Sequence, residues 1–467
     1  MVSRRELLWG AGATALAGGG FAGGVLAAAS AQRQGPAQMT MDIQSATASI
    51  LDTPTTGLVS LSPDRPPPVI RLRQGEKFSA DVVNTHGEPT AMHWHGLRVP
   101  NAMDGVPYLT QYPIQSGETF RYEFMSDDAG TYWYHPHCLT MEQMARGLTG
   151  ILVVDEARDP GFDADLSLNL RDFRLNGKGE FIKLWEPRQA ARGGTLGTVM
   201  TANWRQQELL DAPTGGIARL RVVATDVTRI YRLWLEGADG RVIAWDGHPL
   251  RTPIPWPSRE EPLLLAAGQR AEFSVAMPET EGEEVRVMTM RAHQPHEIAK
   301  VRAVGANLAR PLSEAPELPA NPVPQPDLAN AQVEEFVFGW SPEDAKPNYG
   351  LCGSVGYTFW SINRRPYEGD ATPGLAPIAT LQYGKSYIFR LRNESPNDHP
   401  VHLHGLTFVP LRSDKKPVRS NWTDTALLDS GETMDIAFVA SNPGNWAFHC
   451  HIIEHQKTGL AGYIRIE

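Results

Sequence analysis

Ten of the chain's fourteen histidines crowd into four short stretches. They are His93-Trp94-His95, His135-Pro136-His137, His399-Pro400-Val401-His402-Leu403-His404 and His449-Cys450-His451, the last followed by His455. On a β-strand, residues i and i+2 project from one face. Each His-x-His therefore presents two imidazoles side by side, and four such pairs offer eight, more than one zinc ion could use. A multinuclear metal cluster is the chemistry this pattern suits. The pair around Cys450 carries a second implication. If His449 and His451 share a face, Cys450 points to the opposite one. There its thiolate could join His399 and His455, which are left over from the pairs, in a His2Cys set. That is the ligand set of blue-copper electron-transfer sites. An electron held at that thiolate would be wired by the backbone to two ligands of the cluster.

The elements that must position these groups form a repeated unit. PPVIRLRQGEKFSADVVNTHGEPTAMHWHGLRVP (Pro67 to Pro100) and APIATLQYGKSYIFRLRNESPNDHPVHLHGLTFVP (Ala376 to Pro410) read alike. Each runs as a strand, a Gly turn, an alternating strand, a loop and a His-x-His-Gly strand. Each is followed by a second matching block, SGETFRYEFMSDDAGTYWYHPH in front and SGETMDIAFVASNPGNWAFHCH at the back. A degenerate third copy between them, IARLRVVATDVTRIYRLWLEG with LAAGQRAEFSVAMPE, keeps the strand pattern and has no His-x-His. Period-two alternation between Gly, Pro, Asn and Asp turns predicts an all-β chain of β-sandwich domains, over 40–155, 160–308 and 330–467. The Pro-rich stretch 309–329 is expected to be an extended surface linker. Because only the first and third copies carry paired histidines, the cluster is expected between those two domains.

Composition narrows the function classes. With 43 Gly, 37 Pro and only 21% charged residues, the 467-residue chain is neither disordered, coiled-coil nor collagenous. A net charge of −10 argues against nucleic acid or an anionic membrane surface as partner. Three cysteines are too few for a disulfide scaffold. At the front, Ser3-Arg4-Arg5-Glu6-Leu7-Leu8 precedes a Gly- and Ala-rich stretch ending Ala29-Ser30-Ala31. Residues 1–31 resemble a signal for the twin-arginine export machinery, the alternative being an uncleaved anchor. No other segment is long and apolar enough to span a membrane, so a soluble periplasmic protein is expected.

The motifs HWHG, YHPH, HPVHLHG and HCHIIEHQKTGL, in this order, resemble the four copper-binding motifs of three-domain multicopper oxidases, the family of laccases, cuprous oxidases and bilirubin oxidases. DGHPL and LAAGQRAEF in the middle copy and FWSINRRPY before the third motif extend the resemblance over essentially the whole mature chain. The resemblance implies cupredoxin-like Greek-key domains and four copper ions per chain. It implies type 1 copper on His399, Cys450 and His455, type 2 copper on His93 and His402, and a type 3 pair on His95, His135, His137, His404, His449 and His451. It further implies that a small reducing substrate or metal ion gives single electrons to type 1 copper. These pass through Cys450 and its neighbouring histidines, and the trinuclear cluster reduces O2 to water.

Smaller signals tune this picture. The family's axial position for type 1 copper falls on Leu460, and no Met follows Met434. A copper without a thioether there should have a higher potential. Asp104 matches the family's acidic residue for proton delivery near type 2 copper, though Asp104-Gly105 also suits a plain turn. Gln456 stands where many bacterial relatives carry a proton-relaying Glu, and Glu454 reads as a loop carboxylate. His86 and His248 read as surface turn residues, and His293 and His296 as a solvated loop. Cys138 and Cys352 could pair in the oxidising periplasm, which the sequence leaves open. Only 13 Met occur, without a dense run, which favours a phenolic donor over Cu(I), Mn(II) or Fe(II); Asp398 would suit a cation. A non-enzymatic scaffold on the same fold is disfavoured by the full set of ten histidines and Cys450.

Overall fold

The computed structural model describes residues 39–346, 352, 355–367 and 375–467; the export signal expected at 1–31 lies outside them. Within these residues six β-sheets form, two in each third of the chain, with only short helical turns between strands. No helix is long and apolar enough to cross a membrane.

The three thirds share one wiring. In each, the opening strand pairs in parallel with a later one: Met39–Ile43 with Ala80–Asn84, Ala164–Leu170 with Ala218–Ala224, and Gln332–Phe338 with Tyr387–Asn393. In each, a second parallel pair closes the opposite sheet: Ile70–Arg73 with Leu152–Asp155, Glu208–Pro213 with Ala299–Val304, and Ala379–Leu381 with Ile464–Ile466. Each pair of sheets encloses its own apolar core, built around Phe78 and Trp94, Leu220 and Phe273, and Phe389 and Phe448.

Burial follows the alternation where one face meets water, as in Lys77–Asn84 and Ser386–Asn393. It departs from it in Ile217–Ala224, which is buried throughout. The polar face of that strand meets the first third through Arg221, which donates to Thr131 Oγ1, and carries buried ion pairs: Arg219 with Glu156 and Glu272, and Arg221 with Glu272 and Asp165. Buried charges of this kind persist only when paired.

The first and third thirds are joined directly. Asn101 donates to the Asn445 carbonyl at 2.6 Å, and Asn442 donates to the carbonyls of Val99 and Gly405. Cys138 and Cys352 form a disulfide, which resolves the alternative left open by the sequence. The linker is pinned by Asn321, which donates to the carbonyls of Ala129 and Gly247 and accepts the Ala129 amide.

Two expectations are overturned here. His248 is buried, 3.1 Å from the Asn321 amide and 3.4 Å from Thr407 Oγ1, because the turn carrying it is roofed by the linker and the third sandwich. Burial lowers its pKa to about 4. Glu454 lies in a short buried helix, Ile453–Lys457, and accepts the Thr195 amide at 2.8 Å; burial pushes its pKa up to about 7. His293 is exposed at a hairpin tip, while His86 and His296 are half-buried.

Candidate metal centres

Strand register brings the paired histidines together. Met92–His95 runs antiparallel to Gly130–Pro136 with His93 opposite His135. In the third sandwich His399–Leu403 runs antiparallel to Gly444–Cys450 with His402 opposite His449 and Val401 opposite Cys450. The same register puts His402 and His449 on one face and Val401 and Cys450 on the other. The corresponding pairing of the middle copy, Trp234 opposite Met288, carries no histidine.

Across the junction of the first and third sandwiches the rings interleave. His93 stacks on His404 at 3.8 Å between ring centroids, and His95 on His402 at 3.7 Å. His135, His137, His449 and His451 complete a group of eight buried imidazoles. Candidate ligand atoms of His93, His402 and His404 lie within 4.8 Å of one another, as do those of His93, His95 and His135, and those of His137, His404 and His449.

Most of these rings are anchored through one nitrogen. His93 Nδ1 lies 2.8 Å from the Asp104 carbonyl, His402 Nδ1 2.9 Å from the Asp424 carbonyl, and His449 Nδ1 2.9 Å from the Cys450 carbonyl. His404 Nδ1 meets the Asp104 carboxylate at 2.9 Å, and His95 Nε2 meets that of Asp424 at 3.0 Å. Asp104 is thus more than a turn residue, since its carbonyl and carboxylate each hold a different ring. The Nε2 atoms of His93, His135 and His402, Nδ1 of His95 and both nitrogens of His451 have no protein partner although buried. Unpaired buried nitrogens are costly, so their convergence is explained by a metal. The anchored second nitrogens are the outer hydrogen bonds that orient metal-binding imidazoles.

A second group lies on the other side of the strand. Cys450 Sγ is 3.6 Å from His399 Nδ1 and 3.5 Å from His455 Nδ1, and the two nitrogens are 3.1 Å apart. Ser395 Oγ sits 2.8 Å from His399 Nε2, and His455 Nε2 donates to the Arg192 carbonyl. Leu460 is buried against this core and accepts the Cys450 amide at 3.0 Å through its carbonyl. Burial, reinforced by neighbouring rings, lowers the pKa of His95, His135, His137, His399, His404 and His451 well below the usual range and takes His449 to about 3, and burial alone takes His455 to about 3. At neutral pH these imidazoles are uncharged, the form that binds metal. Burial raises the Cys450 thiol, so a metal must displace its proton. Neutral imidazoles with a buried thiolate donor fit copper.

Sequence patterns missed the residue that locks the junction. Asp424 accepts from His95, Thr425 Oγ1 and both terminal nitrogens of Arg270. Burial alone would raise its pKa, but the Arg270 guanidinium and the two histidine donors outweigh burial and hold it well below the carboxylate range. Gly268, from the middle sandwich, approaches so closely that a Cβ there would lie 3.1 Å from both His451 and His95. Gln456 lies beside His137, its amide nitrogen 3.3 Å from Nε2.

The comparisons with known proteins agree with this geometry. Residues 42–159 and 348–467 match family models described as multicopper oxidase. A multicopper oxidase of Mycobacterium tuberculosis, MmcO, is 28% identical over 85% of this chain and 80% of its own length. Laccase-1 of Botryotinia fuckeliana is 26% identical over 85% and 76% respectively. The crystal structure of a multi-copper oxidase from Pseudomonas thermotolerans superposes with a TM-score of 0.81 at 37% identity, covering 92% of this chain and all of that one. With its sandwiches wired alike and its histidines gathered at one junction, this chain belongs to the multicopper oxidase family.

Proposed function

We propose that the chain is a laccase-like oxidase of phenolic donors, with His399, Cys450 and His455 as the type 1 group that receives electrons. His93 and His402 hold type 2 copper, and His95, His135, His137, His404, His449 and His451 hold the type 3 pair. The observation that carries this reading is the placement of Cys450, whose sulfur faces one histidine pair while its backbone neighbours belong to the other group. Copper bound at these groups supplies one-electron redox chemistry at the first and four-electron reduction of O2 to water at the second.

The chain's own residues do the rest. Second-nitrogen anchors hold most of the rings in place before metal arrives. The Asp104 carboxylate, fully buried against His404, is placed to pass protons where O2 is reduced. Gln456 cannot titrate, and Asp104 is the carboxylate this reading assigns to proton delivery. An aromatic wall supports a phenolic donor: Trp360 lies against both His399 and His455, and Tyr357 stacks on Phe359 nearby. Residues 40–155, 160–308 and 330–467 act as three domains, delivered folded to the periplasm through the signal at 1–31.

Oxygen uptake by copper-loaded protein tests this, comparing a phenol with Cu(I), each corrected for spontaneous oxidation. Fast uptake with the phenol alone is expected. Uptake with Cu(I) and not the phenol would replace the reading by that of a metal oxidase. A Cys450→Ser variant should lose the blue absorbance and donor oxidation while staying folded.

A further inference from the structure

We propose that electrons reach the His399–Cys450–His455 group through two stacked indoles, Trp340 and Trp360, and that a phenolic donor docks on the outer face of Trp340. The inference rests on reading that group as the one that takes electrons from the donor.

Neither imidazole of the group meets solvent. His399 and His455 are both fully buried. The outer nitrogen of His455 is capped by the Arg192 carbonyl at 2.5 Å, and that of His399 by Ser395. A donor approaching either ring edge would have to displace a backbone segment or a buried hydroxyl. Beside both rings lies Trp360, its centroid 5.1 Å from His399 and 4.7 Å from His455. Trp360 is itself fully buried and fixed by donating from Nε1 to the Ala190 carbonyl at 2.8 Å.

The way out is its cross-strand partner. Trp340 pairs directly with Trp360 in the antiparallel ladder, and the indoles stack with centroids 4.2 Å apart and planes 15° from parallel. Trp340 is 44% exposed. A partly exposed indole is thus stacked on a second, buried indole that lies against the two imidazoles. Covering Trp360 would need only an apolar side chain; an exposed indole adds a flat π face on which a phenol ring can stack.

The electron balance is simple. The phenol loses one electron and its hydroxyl proton, becoming a phenoxyl radical, and the proton goes to water. Copper(II) held by His399, Cys450 and His455 would be the one-electron acceptor for the electron that crosses the indoles. Both indoles begin and end neutral.

The test uses the copper-loaded holoenzyme under anaerobic conditions, with 2,6-dimethoxyphenol as donor and the fading of the blue band as the signal. Trp340→Leu should raise the half-saturating phenol concentration about tenfold, the loss of one good aromatic pair, and should slow the fading at saturating phenol. Trp340→Phe should restore most of both. The band position and midpoint potential should not move in either variant. Independently, oxidative footprinting of the copper-free protein should show the Trp340 indole shielded by the phenol. Parent-like fading in Trp340→Leu, or an unshielded Trp340, overturns the proposal and sends the donor to His455 past Arg192. A blue band that survived Cys450→Ser would instead sink the underlying assignment of the group.

Discussion

Replacing Asp424 by Ala tests whether the junction between the first and third sandwiches is held by one carboxylate. The substitution strands Arg270, whose guanidinium is fully buried and donates to Asp424 from both terminal nitrogens. Removing one member of a buried ion pair costs about 3–5 kcal/mol. The structure places the expected cost near the lower end. Asp246 lies 3.4 Å from the same guanidinium, and burial, with the nearby Asp424 charge, raises its pKa. With Asp424 gone, Asp246 ionises more readily and takes over part of the pairing, leaving about 3 kcal/mol. The metal side is also graded. His402 keeps its bond to the backbone carbonyl of residue 424, whereas His95 loses its 3.0 Å carboxylate partner and retains only Thr425 at 3.3 Å. Loss of one such outer bond lowers metal affinity about 10–100-fold, and one ring out of eight argues for about tenfold. Urea unfolding of the copper-free protein reads the first quantity, and copper retention against a chelator reads the second. A copper-free variant within about 0.5 kcal/mol of the parent, the range of ordinary surface substitutions, with unchanged copper retention, would refute the argument.

Three further perturbations have defined outcomes. Replacing both Cys138 and Cys352 by Ala opens a link between residues 214 apart in sequence, and chain entropy puts the loss at about 5 kcal/mol, seen as a lower denaturant midpoint. His248 has a folded pKa of about 4 against its ordinary 6.5, so the unfolded chain takes up the proton first. Stability is therefore lost as pH falls from 6.5 towards 4, by about 3 kcal/mol at ~1.4 kcal/mol per pH unit, and a His248→Asn variant should show a shallower acid loss in pH-dependent urea melts. Asp104→Asn should slow O2-driven reoxidation more than anaerobic reduction of the blue band; equal rates for both steps would leave Asp104 an orienting role only.

Much of the architecture was legible because it is periodic. The His-x-His pairs, the Gly turns and the alternating strands each obey a spacing rule, and the register that separates Cys450 from His449 follows from the two-residue period alone. What escaped was set by contacts between segments far apart in sequence. Asp424 sits in TDTALL, a stretch with no ligand spacing, and acquires its role only when Arg270 and His95 are folded against it. His248 was misjudged because its turn looks exposed until the linker crosses it. Glu454 was misjudged because a short helix, Ile453–Lys457, carries it inward beneath the middle sandwich.

The interleaved rings have a consequence for how the enzyme comes into being. His93 stacks on His404, and His95 on His402, across some three hundred residues of chain. Neither sandwich folded alone brings all eight imidazoles together, so a half-finished molecule lacks the complete cluster at which O2 is reduced. Assembly of the complete cluster coincides with the docking of these two sandwiches, and its chemistry is withheld until the architecture that contains it is in place. Copper held across the junction then marks finished molecules, whereas copper at His399, Cys450 and His455, a group built within one sandwich, does not.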